Sequence, residues 1–145
     1  MVSIRRSTPH DGDCVLEIWR NAVDATHHFL QPADRTAIER EVADFLPSAP
    51  LWLAVDPADR AIGFMLLDGT HMEALFVDPR HAGRGVGRVL VDHAIASRGV
   101  LTTDVNEQNA PAMGFYRHLG FERTGRSDID GQGRPYPLIH LRHPA

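Results

Sequence analysis

Apolar residues recur at three- and four-residue spacing from Val15 through Ile18, Trp19 and Ala22 to Val23, drawing one stripe along a helix that Asp11 is placed to cap. Ahead of it, Ser3 to Ser7 reads as a short opening strand, stopped by Thr8-Pro9 because proline removes a donor. Gln31-Pro32 breaks the stripe. It restarts over Ala33 to Phe45, where Ile38, Val42, Phe45 and Leu46 face one way and predict a second helix, ended by Pro47 and Pro50.

The pattern then shortens. Leu51 to Val55, Ala61 to Leu67 and His71 to Val77 are strand-length runs separated by Asp56-Pro57-Ala58-Asp59 and Asp68-Gly69, which predicts an antiparallel meander. Helical spacing returns from Gly85 to Ser97 with Val86, Val89, Leu90, Ala94 and Ile95, and Gly99 stops it. Val100 to Val105 reads as a strand, Asn109 to Leu119 as a short helix closed by Gly120, and Phe121 to Gly125 and Tyr136 to Leu141 as two closing strands. The order of elements is a mixed α+β pattern.

Composition narrows the class. The chain has 145 residues, 43% hydrophobic and 23% charged, which suits one domain over 1–145. A net charge of −4 and a pI near 6.1 give no general attraction to nucleic acid or to an anionic membrane. Cys14 is the single cysteine, so no disulfide framework is possible within the chain and a reducing cytoplasm fits. The charges at Asp11, Asp13, Glu17 and Asp24 interrupt any apolar run near the start, so no signal or membrane span is expected there.

Any phosphate site must therefore be local. Ala82-Gly83-Arg84-Gly85-Val86-Gly87-Arg88 lies between the strand ending at Val77 and the next helix, with Arg80 just before it. A helix start offers backbone N–H groups and a positive dipole end, and glycine admits an anion close to the backbone. Arginines add charge-assisted donors. No Gly-Lys-Ser or Gly-Lys-Thr follows, so a nucleoside triphosphate loop does not fit. Asp104 lies about 20 residues beyond the turn, as a ribose-binding acid would, but the third glycine of a dinucleotide fingerprint would fall on Arg88 and no βαβ unit opens the chain.

Leu75-Phe76-Val77-Asp78-Pro79 followed by Gly83-Arg84-Gly85-Val86-Gly87, together with Asn109, Ala112, Phe115-Tyr116 and Leu119-Gly120-Phe121, resembles two motifs of the GNAT N-acetyltransferase superfamily, closely its YjaB-type bacterial members. The likeness spans nearly the whole chain. It implies a mixed, mostly antiparallel seven-stranded sheet with four helices and strands splayed at the cofactor site. It also implies acetyl-CoA as cosubstrate, with pantetheine along Leu75, Phe76 and Val77 and the pyrophosphate held by Ala82, Gly83, Arg84, Gly85, Val86, Gly87 and Arg88, Asn109 contributing from the second motif. Ala82 stands where the family usually carries arginine or glutamine.

Direct transfer to an amine needs a base, a polarised thioester and a proton for the thiolate. Tyr116 matches the family's general acid, and Glu73 the position of a general-base glutamate. His71 shares a strand face with Glu73 by the two-residue period. His28 and Phe29, in the run Asp24 to Leu30, and Tyr136 between two prolines are candidates on the acceptor side. Adjacent His27 and His28 point apart and lack a completing ligand set, so no metal site is expected. The reading is an N-acetyltransferase acting on a primary amine, a lysine side chain or a small molecule, as a monomer or homodimer; the competing reading is a noncatalytic acyl-CoA sensor.

Overall fold

A computed structural model describes residues 2–144. Among them are seven strands, β1 (Ser3–Arg6), β2 (Trp52–Val55), β3 (Ala61–Asp68), β4 (His71–Val77), β5 (Leu101–Asn106), β6 (Glu122–Ser127) and β7 (Leu138–His143), and four α-helices, α1 (Gly12–Thr26), α2 (Pro32–Phe45), α3 (Val86–Arg98) and α4 (Ala110–His118). The sheet runs β1-β2-β3-β4-β5-β7-β6. β1 with β2, β2 with β3, β5 with β7 and β6 with β7 pair antiparallel. β4 and β5 run parallel over two residue pairs, His71 with Thr102 and Met72 with Thr103. The chain divides into two compact units, one formed by residues up to Leu66 with Ala74–Val91, the other by Leu67–Glu73 with the residues from Asp92 on.

In the first unit the helical stripe does what its spacing requires. Val15, Ile18, Trp19 and Val23 of α1 are buried in one cluster with Leu51, Leu53, Val55 and Phe64. Fully burying such side chains contributes roughly 1.5–3 kcal/mol each. The second helix is shallower: Ile38 and Val42 pack against this cluster only in part, and no residue of α2 is fully buried. Phe45, expected on the inward stripe, is 53% exposed. The α-helix stops at Phe45 and the chain tightens into a 3-10 turn, so Leu46 takes the inward place at 5% exposure. Arg35 ties the two helices, reaching Asp24 at 2.9 Å and Glu39 at 2.8 Å beneath the Trp19 ring.

Asp11 precedes α1, but its side chain makes no cap on that helix. It accepts the Thr8 N–H at 2.8 Å and both Arg5 terminal nitrogens at 2.9 Å, closing a preceding 3-10 turn. The Arg5 hydrogen bonds bring the Asp11 carboxyl down to about 2.

Helix α3 begins at Val86 rather than Gly85, and its inward line is Val86, Leu90, Val91 and Ala94. Val89 is 37% exposed, because with Val86 and Leu90 inward it falls on the solvent side of the turn. In the second unit, β5 alternates strictly, with Leu101, Thr103 and Val105 buried and Asp104 exposed between them. Tyr116, Phe121, Ile139 and Leu141 are buried in the same unit. The two closing strands start later than the apolar runs suggest, at Glu122 and Leu138. Phe121 and Tyr136 instead anchor the segments leading into them, at 6% and 4% exposure.

Candidate active site

The turn after β4 is fastened before it reaches its glycines. Asp78 is buried; its N–H donates to the Ile62 carbonyl at 2.9 Å, and its carboxylate accepts the Arg80 N–H at 3.0 Å and the guanidinium at 2.7 Å. Hydrogen bonds from Arg80 hold the Asp78 carboxyl below the usual carboxylate range. Arg80 also reaches Glu17 of α1 at 3.4 Å. Of the arginines expected to supply anion donors, Arg80 is therefore engaged by two carboxylates and acts as a clasp on the loop.

Gly83 and Gly85 take φ of 75° and 79°, the left-handed region, and a Cβ at either would meet nothing within 4 Å. Two glycines are needed here for backbone shape, and the space in front of them is open. The ladder of α3 starts with Val89 N–H to Gly85 O at 3.0 Å, and the N–H groups of Gly85, Val86 and Gly87 precede it. The Val86 side chain is 2% exposed, so only its main chain can serve a ligand. Beside this start lies a concavity of about 210 Å³ lined by His81, Arg84, Ile62, Val86, Asp56 and Val2. The helix dipole, the N–H groups and the Arg84 charge favour negative charge at this helix start.

The same unit holds Leu75, Phe76 and Val77 at the end of β4, all half-buried. Phe76 lies 5.5 Å from Phe64 and 6.4 Å from the His27 ring, which in turn lies 5.3 Å from Phe29. The sequence offers His27 only as one of two adjacent histidines; at the capping position after α1 its ring lies against Phe76. Burial pushes its imidazole below the ordinary histidine range. His28 is exposed, with Nε2 3.0 Å from the Ala25 carbonyl.

The second unit gathers the residues read as acid and base. Asn109 caps α4, its side-chain oxygen accepting the Ala112 N–H at 3.2 Å. Tyr116, 7% exposed, is wedged edge-on between Phe115 and Phe121 at 5.1 and 5.2 Å. Burial pushes the phenol well above its ordinary range, with the nearby Thr103 hydroxyl opposing the shift. The group is thus a hydroxyl that keeps its proton. On β4, Met72 is buried while His71 and Glu73 fall on the opposite face, Glu73 exposed and His71 bonded through Nδ1 to the Thr102 hydroxyl at 2.7 Å. Asp104 is held by the imidazole of His140 at 2.6 Å.

Among the described residues, no helix is long and apolar enough to cross a membrane. The Acetyltransferase (GNAT) domain model matches residues 47–123. The chain is 54% identical over 144 residues to the peptidyl-lysine N-acetyltransferase YjaB of Salmonella typhimurium, covering 99% of both, and 54% identical over 143 residues to the protein of that name from Escherichia coli, covering 99% of this chain and 97% of that one. The solution structure of apo-form YjaB from Escherichia coli superposes with a TM-score of 0.95 over 99% of this chain and 97% of that one. At 16% identity the PaiA N-acetyltransferase of Thermoplasma acidophilum, solved with coenzyme A, shares the fold with a TM-score of 0.79, covering 99% of this chain and 98% of that one. The glycine turn opening α3 and the capped α4 bearing Tyr116 are thus parts of one known architecture, and the chain belongs to the GNAT acetyltransferase family, enzymes that move acetyl from acetyl-CoA to an amine.

Proposed function

We propose that the chain acetylates the side-chain amine of lysine in proteins, working as one domain over 1–145 in the cytoplasm. The acceptor reading is supported by the names of the two relatives at 54% identity, both peptidyl-lysine N-acetyltransferases. The single-domain reading is supported by the YjaB structure, which aligns across both compact units.

Acetyl-CoA lies with its pantetheine along the main chain of Leu75, Phe76 and Val77 and its pyrophosphate on the N–H groups from Ala82 to Arg88. The Asn109 oxygen being used as a cap, its amide nitrogen is the group left to meet the cosubstrate. Glu73 takes the proton of the incoming ammonium, with His71 beside it on the strand. The amine attacks the thioester carbonyl, the C–S bond breaks, and Tyr116 delivers its proton to the thiolate. His28, Phe29 and Tyr136 border the acceptor. The observation that supports the catalytic assignment is the placement of the Tyr116 phenol, a proton donor fixed between Phe115 and Phe121 on the helix that Asn109 caps.

The test offers the purified protein acetyl-CoA with a lysine-containing peptide, the same peptide with lysine replaced by arginine, and spermidine. Nε-acetyllysine on the first peptide and no product on the second is the expected result. Acetylation of spermidine alone would remove protein lysine as the acceptor.

A further inference from the structure

Outside the residues assigned to acetyl transfer, the second unit carries a serine, an imidazole and a carboxylate in a chain of short contacts. Ser127 Oγ lies 2.7 Å from His140 Nε2, and His140 Nδ1 lies 2.6 Å from Asp104 Oδ1. An ionised carboxylate only accepts, so Nδ1 carries the proton and Nε2 is left as the acceptor facing the Ser127 hydroxyl. This is the tautomer in which an imidazole can take a proton from serine. The other oxygen of Asp104 is approached by His71 Nε2 at 3.5 Å, so the carboxylate is steadied from both sides.

The register shows how three strands assemble this line. Asp104 and His140 are direct partners in the β5–β7 ladder and therefore share a face. In the β6–β7 ladder Arg123 pairs with Leu141 but Gly125, not Thr124, pairs with His140, so one residue is inserted on β6. That bulge moves Ser127 onto the face of His140; without it Arg126 would stand there, since a one-residue slip exchanges faces. Gly125 stands directly opposite His140, where even a Cβ would only reach ordinary contact, 3.4 Å from His140 Cδ2. β6 ends the sheet, so the serine stands on an edge strand. The His140 and Asp104 side chains are 33% and 34% exposed, within reach of a small molecule.

We propose that Ser127, His140 and Asp104 form a second nucleophilic centre that takes acyl groups from small activated esters. Nucleophile, base and orienting acid within hydrogen-bond reach are the physical signature of an activated serine. In the step, Ser127 Oγ bonds to the ester carbonyl carbon while its proton passes to His140 Nε2. The carbonyl–oxygen bond to the leaving group then breaks, and the leaving group departs with that proton, or as its anion with His140 releasing the proton to solvent. Water then gives a proton to His140 Nε2 as its oxygen bonds to the acyl carbon, and that proton passes to Ser127 Oγ as the acyl–serine bond breaks, releasing the carboxylic acid and restoring the serine. Asp104 steadies the imidazolium and exchanges no proton.

The experiment uses the full chain with p-nitrophenyl acetate and no acetyl-CoA. A burst of nitrophenolate followed by steady turnover is expected, with the acetyl adduct mapping to Ser127 in peptides of the acid-quenched wild-type protein. Ser127→Ala and His140→Ala should each lower turnover about 10²-fold, the contribution of a positioned base. Both should keep their acetylation of a lysine peptide, which reports that the fold survives and keeps this outcome distinct from the acetyltransferase assignment. Turnover in Ser127→Ala equal to that of the wild type, or an adduct on any other residue, overturns the proposal. The adduct mapping needs no variant and decides the matter even if a substitution unfolds the strand.

Discussion

Gly63 of β3 backs directly onto Val86, the first residue of α3: a Cβ built on the glycine would lie 3.1 Å from Val86 Cγ1 and 3.2 Å from the carbonyl oxygen of Phe76. Both neighbours belong to segments that hold the proposed cosubstrate site, and one of them is backbone that cannot rotate away. Gly63→Ala should therefore push α3 outward. Alanine restricts the unfolded chain and recovers part of the cost, but overpacking of this kind typically costs about 1–3 kcal/mol. A lowered melting temperature with a raised KM for acetyl-CoA is expected in thermal unfolding and steady-state kinetics. An unchanged melting temperature would show that the helix start yields freely.

The cradle itself gives a different signature. Gly85 holds φ at 79° with open space around it, so alanine there meets no atom but pays the left-handed backbone cost of roughly 1–2 kcal/mol. The loop relieves that strain by leaving the conformation that aims its N–H groups. Gly85→Ala should raise the Kd for coenzyme A about tenfold, the equivalent of 1.4 kcal/mol, while global stability changes little. Titration calorimetry checks it, and an unaltered Kd would remove the left-handed turn from binding.

Tyr116→Phe keeps the aromatic body between Phe115 and Phe121 and removes only the hydroxyl. The expected outcome is a fall in kcat of about 10²-fold with coenzyme A binding retained, because a general acid acts on the departing thiolate and not on the bound ground state. In the wild type, burial of the phenol keeps it protonated through the ordinary pH range, so no loss of activity toward pH 9 should trace to this group. Equal kcat values in the two proteins would return Tyr116 to a purely packing role.

Acid stability should report Asp11. Its folded carboxyl is drawn down to about 2 by Arg5, against about 3.9 in an unfolded chain. The unfolded state therefore binds the proton first on acidification, so this stabilisation is complete above about pH 5 and fades as the pH falls toward 2. With Arg5 30% exposed and screened, its size is about 1–2 kcal/mol. Asp11→Asn should lower stability at pH 7 by that amount and flatten the loss between about pH 5 and 2, as denaturant melts at several pH values would reveal.

Much of the fold was legible before any coordinate. The α1 stripe from Val15 to Val23 is buried as its spacing demands, and β4 occupies the apolar run His71 to Val77. Periodicity alone misplaces two apolar residues: Phe45 ends α2 facing outward while Leu46 in the following 3-10 turn takes the inward place, and Val89 faces outward because Val86 and Leu90 set the buried line of α3.

What the sequence determined by itself are the features whose cause is local: helix stripes, turn glycines, and the two motifs that mark the family. Only the tertiary structure decided which charges are already taken, as with Arg80, bound to Asp78 and Glu17, and whether an aromatic on a short helix is buried, as with Tyr116. It alone placed His27 against Phe76 and brought Ser127, His140 and Asp104 into one line. The physical reason is register. Residues 13 and 36 positions apart along the chain become neighbours through strand pairing and a single inserted residue at Thr124, and no spacing within one element records where that insertion falls.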